Sequence, residues 1–204
     1  MAGAVEAVGV SVVTGDTKVV DKGSADGLFI ATTGTGVIPP GRGLAVNVRP
    51  GDVALVNGVL GDHGAAILAA RGDMALSVEL ESDCRPLHAL MEAVIAAAPD
   101  VRAARDATRG GLAAGLNEIA GAAGCGIEID EVAVPLRPEV TGVCEILGLD
   151  PLYLANEGTL VLFVPPGQAE AALAAMRGTE AGRGAVGPLA CVERSSLEFC
   201  WGVT

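Results

Sequence analysis

Short unbroken apolar runs alternate along this chain with stretches whose apolar residues recur every third or fourth position. From Leu112 to Ala123 the residues Leu112, Leu116, Ile119, Ala120 and Ala123 fall on one helical face, which predicts a helix over 111–123. Around it the pattern predicts strand 53–60, helix 64–71, a variable stretch near Val78, helix 86–98, strand 126–129, helix 139–147, strand 159–164, helix 168–176, and strands near 185–192 and 196–203. Strands and helices interleaved in this way favour an α+β domain, a mixed sheet covered by helices, over a sandwich or a bundle. Upstream lie two strand-like runs, Val8–Val20 and Leu28–Thr33, joined by Asp21-Lys22-Gly23-Ser24 and followed by a Gly/Pro-rich segment over 34–43. Two strands cannot close a sheet of their own, so these are expected to pair outside the chain or to lie as an exposed edge. Arg49-Pro50-Gly51-Asp52 reads as the turn that opens the main domain, which divides the chain into 1–48 and 49–204.

Composition narrows the picture. With 204 residues the chain can bury a full core, and with half its residues apolar but only 2% aromatic that core must be packed from Ala, Val, Leu and Ile. A net charge of −12 argues against DNA or RNA as a partner, because nucleic-acid binding requires a basic surface that displaces counterions. No apolar run has the length of a bilayer span, and the N-terminal residues lack the charged and apolar regions of a signal peptide, so the expected location is the cytoplasm, without membrane contact. The cysteines, Cys84, Cys125, Cys144, Cys191 and Cys200, are odd in number and lack C-x-x-C spacing, which fits reduced thiols, mostly small buried hydrophobes, better than disulfides or zinc.

Chemistry concentrates in a few short segments. Asp106-Ala107-Thr108-Arg109-Gly110-Gly111 sets an acid, a hydroxyl, a guanidinium and two glycines at a helix start, where unpaired N–H groups and the positive dipole end attract anions. The same residues are equally read as a capped helix with Arg109 in solvent. Gly15-Asp16-Thr17-Lys18 puts Asp16 and Lys18 on one face of a strand, able to hold a magnesium ion and a phosphate oxygen, or simply a charged hairpin edge. Asp62-His63 follows an apolar strand and starts a helix: His63 is either a general base or a locally bonded neighbour of a capping Asp62. Asn156-Glu157-Gly158 stands at a strand entry, where Glu157 is a base, a metal ligand or part of a turn. In Ser82-Asp83-Cys84-Arg85-Pro86-Leu87 a capping residue before Pro accounts for the pattern, and Cys84 has no base nearby in sequence.

Taken in order, TGDTKVVDKG (14–23), GDHG (61–64), SDCRPL (82–87), RDATRGGLAAGLNEIA (105–120), CEILGLDPLYLANEG (144–158) and the Ala-Val-Gly turn at 185–187 closely resemble the carbamoyl dehydratases of hydrogenase maturation. These belong to the superfamily of aminoimidazole ribonucleotide synthetase and selenophosphate synthetase. The resemblance implies a C-terminal-type domain of that superfamily, preceded over 1–48 by the last strands of an ATP-binding N-terminal domain. It implies ATP-dependent dehydration of a protein-bound thiocarboxamide to a thiocyanate, the source of the cyanide ligand of the nickel–iron centre. On the matching positions, Asp16 and Asp106 serve Mg²⁺; Asp16, Thr17, Lys18, Asp106, Thr108, Arg109, Gly110 and Gly111 bind the nucleotide; and Lys18 with Glu157 assists deprotonation. The implied partners are a carbamoyl-transferring maturation protein, other maturation proteins and a second copy of the chain, with residues 5–38 at the interface.

Family members also carry an upstream half-domain with acidic motifs and a Pro-Arg-Ile-Cys tail, neither of which matches a segment here, so the expectation is a chain incomplete for catalysis, and Cys200 is not given the acceptor role. Two alternatives remain: a selenophosphate-synthetase-like ATP-dependent enzyme, against which the Asn-Glu-Gly and Cys-Glu-Ile-Leu-Gly segments count, and a non-catalytic docking module of the maturation machinery.

Overall fold

The computed structural model describes residues 2–25, 27–38, 43, 46–71 and 79–193. The chain divides into two compact units, Met1–Leu44 and Ala45–Thr204. The stretch around Val78, the strand expected over 196–203, and Cys200 lie outside the described residues.

In the first unit helix α1 (Ala2–Ala7) buries no side chain, and Gly9 closes it with its N–H on the Glu6 carbonyl at 3.1 Å. The strands expected at Val8–Val20 and Leu28–Thr33 are not formed by the described residues there. An apolar run becomes a strand only when a ladder partner takes its N–H and C=O groups. Among the described residues nothing fills that position, and Val13, Val19, Leu28 and Phe29 stand more than three-quarters exposed.

Near the start of the second unit the turn expected at 49–52 is formed: the Asp52 N–H donates to the Arg49 carbonyl and the Asp52 carboxylate accepts the Arg49 N–H at 2.8 Å. Its elements are β1 (Val53–Val56), α2 (Asp62–Arg71), α3 (His88–Ala97), β2 (Ala103–Asp106), α4 (Gly111–Ala123), β3 (Gly126–Ile129), α5 (Pro138–Leu147), β4 (Leu160–Val164), α6 (Ala169–Arg177) and β5 (Val186–Glu193). The five strands lie in the order β2-β4-β1-β5-β3. The α+β class stands; all pairings among these five strands are antiparallel, and the parallel pairing among the described residues is the isolated bridge between Leu60 and Leu136. Most helices therefore do not act as crossovers between parallel neighbours; they lie on the two faces of the sheet or beside it.

Strand β4 (Leu-Val-Leu-Phe-Val) explains the layering. Val161 and Phe163 face a core completed by Leu112, Leu116 and Ile119 of α4, whereas Leu160, Leu162 and Val164 face Leu90 and Val94 of α3 and Met176 of α6. Both faces are covered, so the strand is continuously apolar. Each large side chain so buried contributes about 1.5–3 kcal/mol. A third cluster, Ala65, Val140, Val143, Cys144 and Leu154, joins α2 to α5 beside the sheet. Strand β2, absent from the sequence reading, is an edge strand paired only to β4; its Arg105 and Asp106 face solvent, which removes any apolar periodicity. The thiols follow the expectation in part: Cys144 is buried and Cys125 half-buried, with burial raising the pKa of each, but Cys84 is exposed.

Candidate active site

The antiparallel register sets Val56 opposite Val161 and Asp106 opposite Leu160. The C-terminal ends of β1 and β2 thus meet the entry of β4, and Asn57, Asp106 and Asn156-Glu157-Gly158 converge from distant parts of the chain.

Buried polar side chains weld this junction. Asn57, fully buried, donates through Nδ2 to the carbonyls of Gly158 (3.0 Å) and Ala181 (2.8 Å) and accepts the Leu160 N–H on Oδ1 at 2.8 Å. Asn156, 1% exposed, accepts the Gly61 N–H at 2.7 Å and donates to the carbonyls of Ala107 and Leu154. Asp83 accepts the N–H of Glu157 (2.9 Å) on Oδ1, and on Oδ2 the N–H of Gly158 (3.0 Å) and the hydroxyl of Thr159 (2.9 Å). Arg85 Nε adds a bond to the Gly158 carbonyl at 3.1 Å. A Cβ at Gly158 would overlap the Asp83 carbonyl oxygen, so only glycine fits. Buried polar groups with every partner in place make a rigid unit.

This corrects two readings of the sequence. Helix α3 begins at His88 after Leu87 with no side-chain cap, and the Asp83 carboxylate instead bonds residues 157–159 at the entry of β4. Asp62 does not cap its own helix: its Oδ2 accepts from Arg137 Nε at 2.9 Å, and Asn156 receives the Gly61 N–H. Both partners lie far along the chain, where no local signal reveals them. The one sequence hint for Asp83 is its place in a segment matching the family.

On this platform the Glu157 main chain is fixed while its side chain, 39% exposed, faces outward. His63 Nε2 lies 4.0 Å from Glu157 Oε1, and His63 Nδ1 is 2.8 Å from the Ser82 hydroxyl, which also accepts the Cys84 N–H. Alongside is a cavity of about 390 Å³ lined by Asp62, Ser82, Asp83, Arg85, Arg137 and Arg183 among others. Asp62 Oδ1 is buried without a partner. Burial raises the Asp62 pKa above the usual carboxylate range, and the hydrogen bond and charge of Arg137 oppose that rise.

The remaining residues singled out from the sequence fall in two places. Asp106, Thr108, Arg109, Gly110 and Gly111 form the entry of α4, where the Thr108 hydroxyl donates to Asp106 Oδ2 at 2.6 Å. Asp106 Oδ1 lies 3.8 Å from Arg105, and Arg109 is exposed. Gly110 and Gly111 have φ of +69° and +63°, and a Cβ on Gly111 would strike the Leu152 and Leu154 carbonyls, so packing alone already requires glycine there. Asp16, Thr17 and Lys18 are exposed in the first unit, with the Thr17 N–H on Asp16 Oδ1 at 2.8 Å. Among the described residues no group of three or more His, Cys, Asp or Glu side chains is arranged to hold a metal, and no helix is long and apolar enough to cross a membrane.

The family described as AIR synthase related protein, C-terminal domain, matches residues 49–185, which hold this sheet and its junction, and the chain belongs to that family. Within it, the chain is 69% identical over 186 residues to the carbamoyl dehydratase HypE of Rhodobacter capsulatus, a match covering 91% of this chain and 55% of the relative. It also superposes on HypE in a HypE–HypF complex (TM-score 0.86, 38% identity, 96% of this chain and 64% of that one). A structure of HypE in complex with ATP matches with TM-score 0.84 and 37% identity over 95% of this chain and 58% of that one. The chain thus spans little more than half the length of these relatives. The likeness to carbamoyl dehydratases of hydrogenase maturation that the motifs carry is upheld.

Proposed function

We propose that this chain is the Glu157-bearing part of an ATP-dependent carbamoyl dehydratase that makes the cyanide ligand for nickel–iron hydrogenase. The observation that carries the reading is the clamp on Asn156-Glu157-Gly158: Asp83, Asn57, Asn156 and Arg85 hold the backbone so that one carboxylate projects from a rigid floor. Such fixation is what a general base requires.

The net reaction converts R–S–C(=O)–NH₂ and ATP to R–S–C≡N, ADP and phosphate. ATP supplies the phosphoryl group with which the amide oxygen departs. Glu157 takes protons from the amide nitrogen, and the likeness of the TGDTKVVDKG segment to the family gives Lys18 a part in the same deprotonation. Thr108, Arg109, Gly110 and Gly111, at the N-terminal end of α4, lie by the phosphates, where the helix dipole and the Arg109 charge oppose the charge that develops there. The same family likeness assigns Thr17 to nucleotide binding. Asp106 and Asp16 suit Mg²⁺: both carboxylates are exposed, and magnesium in nucleotide sites takes one or two carboxylates with phosphate oxygens. The partners are a carbamoyl-transferring protein, in keeping with the HypE–HypF complex, and a second copy of the chain.

Two measurements test this. Calorimetric titration of MgATP into the chain is expected to show binding that Asp106→Ala and Arg109→Ala abolish. Dehydration restored by supplying the remaining family segments is expected to vanish in Lys18→Ala and Glu157→Ala, and full activity in both variants overturns the assignment. The exposed apolar residues over 10–38 favour a second reading, a docking module without catalysis. A monodisperse monomer in light scattering, with no affinity for maturation proteins, removes it.

A further inference from the structure

Turning a carboxamide into a nitrile takes two protons from one nitrogen, whereas a carboxylate that has taken the first is spent until it is discharged. Glu157 therefore needs an outlet. The structure provides one candidate within reach among the described residues: the imidazole of His63, half-buried, with Nε2 4.0 Å from Glu157 Oε1 and Nδ1 2.8 Å from Ser82 Oγ. At 4.0 Å there is no hydrogen bond in this state, but a torsion of the half-exposed Glu157 side chain closes the gap, and contacts of this kind commonly tighten only when substrate is bound.

We propose that Ser82 and His63 form a proton outlet for Glu157, with His63 acting through Glu157 as a positioning residue. Before transfer, Nδ1–H donates to Ser82 Oγ and Nε2 carries the lone pair. Glu157, protonated by the substrate nitrogen, passes that proton to Nε2, which gives an imidazolium whose two N–H groups face Ser82 Oγ and the regenerated carboxylate. The imidazolium then releases its proton to solvent. Ser82 Oγ is held for this task by the Cys84 N–H at 3.2 Å, and Ser82 and Asp83 are neighbours in the chain, so the segment that clamps the Glu157 backbone also orients the ring that discharges its side chain. On the other side of the helix start, Asp62 is turned toward Arg137 and is not a partner of His63.

The inference rests on the dehydratase reading, and the experiment separates the two. In the complemented dehydration assay, His63→Ala is expected to lower kcat by roughly 10²–10⁴-fold, the range for a lost proton-transfer group, with KM little changed. Imidazole added to the buffer restores at least about tenfold of that loss, and His63→Gln, which can hydrogen-bond but not carry a proton, stays as low as His63→Ala. Undiminished turnover in His63→Ala, or rescue by Gln and not by imidazole, overturns the outlet and leaves the dehydratase reading intact. A wild-type chain that shows no ATP-dependent dehydration in that same complemented assay overturns both. An independent readout needs no activity: His63 and His88 are the only two histidines, so ring ¹⁵N spectra of the chain resolve them. Ser82→Ala and Glu157→Gln are each expected to move the His63 nitrogens and leave His88 in place, and spectra unchanged in both variants overturn the juxtaposition.

Discussion

Replacing Asp83 by Ala tests whether the clamp is what orders the site. The carboxylate accepts three bonds, from the N–H groups of Glu157 and Gly158 and from the Thr159 hydroxyl, all between 2.9 and 3.0 Å. Bonds to a charged acceptor contribute about 1.5–3 kcal/mol each, but the three losses do not simply add. The Thr159 hydroxyl can turn fully to the Val59 carbonyl, which it already approaches at 3.3 Å, and Glu157 is an exposed residue, so water can reach its half-buried N–H. The Gly158 N–H is buried and stays unpaired, costing about 1–3 kcal/mol by itself. Asp83→Ala is therefore expected to destabilise by about 2–4 kcal/mol, and Asp83→Asn, which keeps one acceptor but turns an NH₂ group toward a backbone N–H, by about half of that. Urea unfolding at constant m-value measures both. Amide hydrogen exchange at Gly158 is expected to accelerate in the Ala variant more than at β5. An Ala variant within about 0.5 kcal/mol of the parent would refute the reasoning, because that is the range of surface substitutions away from any special feature.

Other expectations follow from the same structure. Phe163→Ala, at a fully buried position on β4, should cost about 3–5 kcal/mol in the same unfolding assay. Gly158→Ala should destabilise by at least about 1–3 kcal/mol, because the new methyl overlaps the Asp83 carbonyl and the backbone must move; an unchanged midpoint would contradict the close approach. For Asp62 the folded pKa is raised above 3.8, so the native state holds its proton more tightly than the unfolded chain. Its contribution is then fully present below pH 3.8 and is lost as the pH rises through the folded value. Relative to the parent, Asp62→Asn should look better at pH 7 than at pH 3.5 in urea midpoints, and the opposite trend would show that the ion pair with Arg137 outweighs burial.

Local pattern determined much of the second unit. The helix at 111–123, the strand at 126–129 and the turn at 49–52 follow directly from periodicity and turn chemistry, because their apolar faces and glycines act within a few residues. The family was legible for a related reason: GDHG, DATRGG and ANEG are compact segments whose side chains remain together in the chain. Only the tertiary structure decided how those segments use one another. Asp83 looks like a helix cap until β1, β2 and β4 bring residues 157–159 against it, and Asn57 is one more position of the strand expected over 53–60 until its amide bridges two distant carbonyls. The antiparallel sense of the sheet was hidden because β4 is buried on both faces and so lacks the alternation that separates one face from the other, and β2 was hidden because its exposed edge needs no apolar residue. The runs at 8–20 and 28–33 show the same limit from the other side: apolar content states that a segment can pair, and only a partner's backbone groups make it a strand.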